Sequence, residues 1–211
     1  MHTELVHFKE RSQRSEYVAQ RFRNYLKNRV ADIGCFQAPL RTLLADCEYT
    51  GVDVAGAPDI KLNLDSIDPL PFQENEFDAV LCIEVLEHLD NLHVVFDELV
   101  RISKRYVIVS LPNCWRDARR KIEKGTGDFL HYGLPVEKPL DRHKWFFNCQ
   151  QAEEFLVYKA EKHKLDIVEL FVTEKPKLAI VKGVRKLLYP GSKYNNRYGH
   201  TVWVVYEKKE K

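Results

Sequence analysis

The sequence has no long apolar run and no strong excess of either charge. No apolar stretch approaches the ~20 residues that a membrane-spanning helix needs, and the N-terminus shows no signal-peptide pattern. The 33 basic and 31 acidic residues nearly cancel, so there is no overall nucleic-acid signature. These absences predict a cytoplasmic protein.

Cysteine is scarce and scattered. The five cysteines form no CxxC pair, and Cys35, Cys47 and Cys82 lie in or beside apolar segments. We therefore expect reduced, structural thiols and no disulfide. His88 and His93 are five positions apart and do not share a helical face, and no acid or cysteine cluster joins them, so no metal site is predicted.

The remaining sequence alternates strand-like and helix-like segments. Its 211 residues suit a single domain with a substantial core, and the alternation predicts a mostly parallel sheet covered by helices. Helices are expected over 11–27, 39–46, 92–100 and 150–163. Strands are expected over 30–33, 49–54, 60–64, 77–83, 106–111, 165–172 and 201–206.

Two segments interrupt this alternation. Residues 113–149 are long, aromatic and loop-rich, and residues 174–200 form a basic insertion between the last two strands. Insertions on α/β scaffolds commonly carry substrate specificity, so we expect the second ligand at one of them.

The stretch after the first expected strand predicts a nucleotide site. The apolar run 30–33 carries Asp32 and breaks at Gly34, where glycine lets a ligand approach the backbone. Asp53 closes the next strand-like run, 21 positions after Asp32. An acid at about this distance grips the ribose in nucleotide-binding α/β folds, so we expect an adenosine-containing cofactor.

Five segments in the same order resemble the motifs of class I S-adenosylmethionine-dependent methyltransferases, of the type 11 group. They are Asp-Ile-Gly-Cys (32–35), Gly-Val-Asp (51–53), the 70–78 segment, Glu-Val-Leu-Glu-His-Leu (84–89) and Ser-Leu-Pro-Asn (110–113). The resemblance implies an enzyme with one methyltransferase domain over 1–211. It also implies a Rossmann-like α/β fold with a mostly parallel seven-stranded sheet, helices on both faces, and S-adenosyl-L-methionine as cofactor.

The chain departs from that family at Phe36 and Ala38, where the family usually has glycines. Phe36 adds bulk where the backbone normally approaches the methionine part of the cofactor, so we expect it to lower affinity. The same residue argues against a nicotinamide enzyme, whose glycine fingerprint needs this position open for a pyrophosphate.

The resemblance also implies a role for residues at the ends of the first two strands. Asp32 orients the loop and receives the amino group of the cofactor. Gly34 and Cys35 form the loop beside it. Asp53 accepts both ribose hydroxyls, as a carboxylate can, and Val54 flanks the adenine.

Four further residues complete the implied cofactor site. Either Asn63 or Asp65 meets the adenine amino group, and Asp65 is favoured. Ile83 and Glu84, just after the central strand, line the cofactor.

The acceptor site is expected within residues 127–147. A base is needed only where the acceptor is a hydroxyl or an ammonium, and His143 and His131 are the candidates. Asp141 is expected to hold His143 by a hydrogen bond, and Arg142 to clamp an acceptor anion. The aromatic residues of the segment either stack on the acceptor or dock the loop on the core; they are Tyr132, Trp145, Phe146 and Phe147.

Residues 175–189 are basic and partly amphipathic. They form either a lid with a solvated outer side or a contact with an anionic membrane surface or a phosphate-bearing acceptor.

These features predict methyl transfer to a small-molecule acceptor. The 110–147 region resembles bacterial methyltransferases of sugar and cell-surface polysaccharide metabolism. Nucleic acid is not expected, because Ile-Glu-Val-Leu stands where amino-methylating enzymes carry an Asn/Asp-Pro-Pro-Tyr-type motif. The alternative is a non-catalytic methyltransferase-like partner of homoserine acylation in methionine synthesis, which the 101–116 run also resembles.

Overall fold

A single eight-stranded sheet forms the centre of the protein, whose computed structural model describes residues 1–66, 69–129, 131–139 and 141–209. Its strands are β1 (His2–Leu5), β2 (Arg29–Ile33), β3 (Glu48–Asp53), β4 (Ile60–Lys61), β5 (Phe77–Ile83), β6 (Ser103–Pro112), β7 (Leu165–Glu174) and β8 (Thr201–Lys208). The spatial order is β1-β7-β8-β6-β5-β2-β3-β4, and only β8 runs antiparallel to its neighbours. The predicted Rossmann-like, mostly parallel α/β fold is confirmed.

The sheet has eight strands instead of the expected seven because the N-terminus adds β1 at one edge. This strand pairs in parallel with β7, with His2 opposite Phe171 and Leu5 opposite Glu174. Its four residues are partly or fully exposed and carry no apolar alternation. The segment 2–5 therefore has no strand pattern in its sequence.

Seven helices accompany the sheet in the described part of the chain. They are α1 (Arg11–Arg21), α2 (Leu40–Leu43), α3 (Leu92–Ile102), α4 (Cys114–Lys124), α5 (Cys149–His163), α6 (Ala179–Leu188) and α7 (Ser192–Tyr198). Short 3-10 turns occupy Leu64–Ser66 and Leu86–His88. The helix expected over 39–46 is thus only one turn long.

Both segments expected to be irregular contain helices. In the segment 113–149, Asn113 caps the start of α4, because its side chain accepts a hydrogen bond from the Arg116 N–H. Gly125, with a φ of 65°, caps the end of the helix. Only residues 125–148 form a loop, called the acceptor loop below, and its Leu130 and Leu140 lie outside the described residues. The basic insertion 174–200 contains α6 and α7.

The two faces of the sheet bury separate cores. On β5, Ala79 and Leu81 face the core formed with α1 and α2, while Val80 and Cys82 face the core formed with α3 and α5. This alternation explains why the β5 sequence is apolar at nearly every position. The expected coverage of both faces by helices is confirmed.

Parallel strands bring their carboxyl ends to one edge of the sheet, which the structure uses to build a cleft. The chain leaves β2, β3, β4 and β5 at this edge. Open α/β sheets bind ligands at this edge, so residues far apart in sequence can meet one ligand.

In the described residues no helix has the length and apolar character to cross a membrane.

Candidate active site

A cleft of about 540 Å³ opens at the carboxyl edge between α1 and the segments that follow β2 to β5. This volume is within the usual range for small-molecule and cofactor sites. Most of the residues predicted to contact the cofactor line it, namely Asp32, Gly34, Cys35, Asp53, Val54, Asn63, Ile83 and Glu84.

Asp65 is the predicted cofactor residue that does not line the cleft. Its carboxylate oxygen accepts hydrogen bonds from the backbone N–H groups of Asp90 (2.9 Å) and Asn91 (3.4 Å), at the start of α3. Asn63, the other open choice for the contact with adenine, does line the cleft. The 3-10 turn at Leu64–Ser66 turns Asp65 away from the cleft.

The loop after β2 keeps a left-handed backbone at several positions. Gly34 has a φ of 86°, and a Cβ added there would lie 2.2 Å from a methyl carbon of Val85. Phe36 and Ala38 have φ values of 48° and 49°. The conformation that normally favours glycine is thus kept at the two positions where this chain lacks it.

The Phe36 side chain lies at the cleft surface. It is 39% exposed, and the guanidinium carbon of Arg11 lies 5.0 Å from its ring centroid. Both residues line the cleft. A bulky ring is therefore present beside the expected position of the methionine end of the cofactor.

Asp53 connects the end of β3 to this loop. Its Oδ2 accepts a hydrogen bond from the Phe36 N–H (2.8 Å), and its Oδ1 accepts one from the Ala55 N–H (3.0 Å). Each carboxylate oxygen keeps a further lone pair, so both remain able to accept ribose hydroxyls.

Asp32 lies beneath the loop and is 5% exposed. The Tyr49 hydroxyl donates a hydrogen bond to its Oδ2 at 2.7 Å. Burial raises the pKa of the Asp32 carboxyl to about 6. Its position suits the predicted role of orienting the loop.

Glu84 leaves β5 with a φ of 52° and is held from two sides. It forms an ion pair with Arg14 of α1, and its Oε1 accepts a hydrogen bond from the Thr201 hydroxyl at 2.8 Å. Arg14 also lines the cleft, which the sequence did not predict. It lies in the opening helix, where arginine is an ordinary helix former and carries no site signal.

Three histidines meet where the acceptor loop reaches the cleft. The rings of His131 and His143 stack with centroids 4.4 Å apart, and the ring of His88 contacts that of His143 edge-on, also at 4.4 Å. His88 and Asp141 line the cleft itself. We call His88, His131 and His143 the histidine cluster.

Asp141 holds His88 instead of His143, which corrects the predicted pairing. Its Oδ1 lies 2.6 Å from Nδ1 of His88. His143 uses its Nδ1 for a hydrogen bond with the Tyr132 hydroxyl, also at 2.6 Å. Asp141 is closer to His143 than to His88 in the sequence, but the path of the loop brings its carboxylate to the turn at Leu86–His88.

Burial changes the protonation of the cluster. It lowers the pKa of His143 to about 3, helped by the neighbouring His88 and His131. Burial also lowers the pKa of His88, although Asp141 opposes this. Both imidazoles are neutral near pH 7, and His143 is a weaker base than the ordinary histidine that the sequence suggested.

Arg142 and Trp145 of the acceptor loop both hold the loop in place. Nη2 of Arg142 donates to the carbonyls of Tyr132 (3.3 Å) and Gly133 (3.2 Å), so it braces the loop and does not line the cleft. The Trp145 indole N–H donates to the Leu89 carbonyl at 2.7 Å. Trp145 thus docks the loop on the core.

Glu87 is a further residue at this site for which the sequence predicted no role. It is 1% exposed, and burial raises its pKa to about 8. Among the described residues its Oε2 has no hydrogen-bond partner. The Glu-Val-Leu-Glu-His-Leu motif contains Glu87, but nothing in the motif shows which of its two acids is buried.

A family model described as "Methyltransferase domain" matches residues 31–109, which span β2 to β6 and most of the cleft. Residues 31–109 thus carry the sequence of a methyltransferase domain. The predicted enzyme class is thereby confirmed, and S-adenosylmethionine is the cofactor that the domain implies. A comparison with curated protein sequences finds no match.

Solved structures with the same fold include several methyltransferases. The small RNA methyltransferase HEN1 is 18% identical with a TM-score of 0.62, covering 99% of this chain but only 26% of that one. A SAM-dependent methyltransferase from Methanosarcina mazei is 18% identical with a TM-score of 0.59, and the match covers 90% of this chain and 98% of that one. Magnesium protoporphyrin IX methyltransferase from Synechocystis, with bound SAH, is 13% identical with a TM-score of 0.55, and the match covers 94% of this chain and 83% of that one. At these identities the likeness shows the fold alone.

Proposed function

We propose that this methyltransferase transfers the methyl group of S-adenosylmethionine to a hydroxyl of a small-molecule acceptor. The observation that carries the proposal is the position of the histidine cluster, since His88 and Asp141 form one end of the cleft that the cofactor residues line. Cofactor and acceptor would therefore meet at this end.

The reaction needs little from the protein beyond positioning and a path for one proton. The acceptor hydroxyl loses its proton to the histidine cluster or to water, and an oxygen lone pair forms the new bond to the methyl carbon. The carbon–sulfur bond breaks, and its electron pair stays on the sulfur of S-adenosylhomocysteine. Holding the two reactants in line supplies most of the rate enhancement.

Within this proposal, His88 is the histidine placed to meet the acceptor, with Asp141 fixing its ring. His143 and His131, the two bases suggested by the sequence, stack behind it and complete the wall of the acceptor site. Arg142 supports the loop through two carbonyls. Its predicted contact with an acceptor anion would require it to leave these carbonyls.

A sugar or a cell-surface polysaccharide precursor is the proposed acceptor class. Support comes from the aromatic surface beside the cluster, where the rings of Tyr132 and Phe146 contact edge-on at 4.9 Å and Phe146 is 50% exposed. Exposed aromatic faces suit the apolar face of a sugar ring. The neighbours named for small RNA and magnesium protoporphyrin show that the fold itself does not select an acceptor.

We also propose that α6 rests on an anionic membrane surface. None of its residues is buried, and its apolar side chains are mostly exposed, Ile180 at 81% and Leu187 at 82%. Lys182 pairs with Glu174 and Arg185 lies over the ring of Tyr198, so both are turned toward the protein. The exposed lysines of the same segment complement anionic headgroups; they are Lys175, Lys177 and Lys186. The helix follows β7, which runs parallel to the strands that form the cleft, so an acceptor attached to lipid would reach the cleft from that surface.

The proposal is tested by methyl transfer from radiolabelled S-adenosylmethionine to a panel of acceptors. The panel contains monosaccharides, nucleotide sugars, lipid-linked sugars and a short RNA. We expect label to enter a hydroxyl-bearing sugar acceptor and not the RNA. Tight cofactor binding without transfer to any acceptor would favour the alternative of a non-catalytic partner protein.

A further inference from the structure

We propose that Glu87, His88 and His143 bind one divalent transition-metal ion at the acceptor end of the cleft. Each of the three residues offers one ligand atom, and these atoms all lie within 4.8 Å of one another. Ligand atoms bound to one such ion lie roughly 3–4 Å apart, given metal–ligand distances of about 2.0–2.2 Å. Small side-chain rotations would therefore complete the site.

The environment of Glu87 calls for a cation. The side chain is almost fully buried, and its Oε2 has no hydrogen-bond partner among the described residues. A buried carboxyl oxygen that has lost water and gained no hydrogen-bond partner is costly whether or not the group is ionised. A bound cation supplies the missing partner.

His88 is oriented as a ligand. The carboxylate of Asp141 can only accept a hydrogen bond, so Nδ1 of His88 carries the proton and Nε2 presents a lone pair. That Nε2 lies 3.8 Å from Oε1 of Glu87. A metal ion that displaces the proton of Glu87 would lie between these two atoms and bind both. A carboxylate behind a ligating imidazole is the usual outer partner in metal sites.

His143 has one ring nitrogen engaged and one left for the ion. Its Nδ1 is engaged by the Tyr132 hydroxyl, so Nε2 is the atom available to a metal. The surrounding backbone is already fixed, because the Lys144 N–H donates to the Glu87 carbonyl at 2.7 Å. An ion here would join the acceptor loop to the 3-10 turn at Leu86–His88.

The donor set selects the class of ion. Two imidazole nitrogens and one carboxylate suit manganese, iron, cobalt, nickel or zinc, whereas calcium and magnesium prefer oxygen ligands throughout. Three protein ligands leave coordination positions open. If the proposed function is correct, an open position would take the acceptor oxygen and lower the pKa of its hydroxyl, a role that rests on that proposal. The acceptor proton would then leave to water, because His88 and His143 would be occupied as ligands.

The test is metal binding by the full chain without cofactor or acceptor. Protein stripped with a chelator is titrated with cobalt(II), followed by visible absorption and by calorimetry. We expect one equivalent to bind with the absorption bands of a nitrogen- and oxygen-liganded site. Glu87→Gln and His143→Ala should each weaken binding at least tenfold. His93→Ala is the matched control and should bind as wild type, because His93 packs against Trp145 and Phe155 outside the cluster.

Circular dichroism of each variant shows that it is folded before the titration is interpreted. Wild-type protein that binds no cobalt, or folded Glu87→Gln and His143→Ala variants that both bind it as well as wild type, would overturn the metal site. Because no acceptor is present, failure of the proposed methylation would leave this result unchanged. A missing metal site would likewise leave cofactor binding and methyl transfer to be measured separately.

Discussion

Nδ1 of His88 lies 2.6 Å from Oδ1 of Asp141, and this hydrogen bond joins the acceptor loop to the cofactor cleft. His88 belongs to the segment that follows the central strand β5, whereas Asp141 lies 53 positions later in the chain. Both line the cleft. The pair therefore fixes one ring orientation at the point where cofactor and acceptor are proposed to meet.

Replacing Asp141 tests this relationship. Asp141→Asn removes the charge that fixes His88, so kcat should fall by about 10–100-fold, the usual effect of an outer partner of a functional histidine. Affinity for S-adenosylmethionine should change less than twofold. Steady-state kinetics and calorimetry measure the two effects. Asp166→Asn, an exposed acid on β7 paired with Lys209, is the control and should match wild type in both. An unchanged kcat in Asp141→Asn would remove the pair from the mechanism.

The buried carboxyl of Asp32 predicts a pH-dependent stability. Its pKa is raised by burial from 3.8 to about 6, so between these values the folded chain keeps a proton that the unfolded chain has lost. The contribution of Asp32 to stability should therefore fall as the pH rises through this window and stay level above it. Asp32→Asn cannot ionise and still offers Tyr49 an acceptor oxygen. The free energy of unfolding of the variant should exceed that of wild type by up to about 3 kcal/mol at pH 7.5, and by little at pH 4.

Urea unfolding of both proteins at the two pH values measures this difference directly. An equal difference at pH 4 and pH 7.5 would mean that ionisation of Asp32 does not contribute. The same substitution should weaken cofactor binding, because it removes the charge proposed to receive the amino group of the cofactor.

Phe36→Gly separates backbone strain from steric crowding. Glycine relieves the strain of the left-handed backbone, which stabilises the folded chain by about 1–2 kcal/mol. Two effects oppose this gain: glycine makes the unfolded chain more flexible, and the contact between Arg11 and the ring is lost. We therefore expect a stability change below about 1 kcal/mol and cofactor binding that is tighter or unchanged. A tenfold loss of affinity, about 1.4 kcal/mol, would show that the ring is a cofactor contact.

The exposed apolar side of α6 predicts membrane binding that depends on anionic lipid. Wild-type protein should sediment with vesicles that contain phosphatidylglycerol and not with phosphatidylcholine vesicles. Leu187→Glu should abolish this binding. Leu134→Glu, at an even more exposed leucine in the acceptor loop, should have no effect. Equal binding of wild type to both kinds of vesicle would contradict the proposal.

The sequence predicted the parts of the fold and the site that depend on local pattern. The apolar run of β5 is buried on both faces, and Asp32 and Asp53 follow from a strand–turn–helix spacing. Helix α4 was missed because seven of its eleven residues are charged and few are apolar, which resembles a surface loop. Its amphipathic pattern was nevertheless present in the sequence.

The histidine cluster could not be predicted in this way. His88 and His143 are 55 positions apart, and the path of the acceptor loop alone brings them together. The buried state of Glu87 likewise depends on tertiary packing, since its neighbour Glu84 in the same motif pairs with Arg14. Sequence spacing excluded a metal site on His88 and His93, but it gave no information on contacts made across the loop.

The affinity of the Asp53→Ala variant for S-adenosylmethionine decides whether this cleft is the cofactor site. Calorimetric titration should show one cofactor bound per wild-type chain. Asp53→Ala should lose about 1.5–3 kcal/mol of binding free energy, as expected for hydrogen bonds to a charged acceptor. Asp46→Ala should bind as wild type, because Asp46 is exposed before β3, at the opposite edge of the sheet, and pairs with Arg23. Equal affinity of wild type and a folded Asp53→Ala variant would contradict the assignment of this cleft to the cofactor.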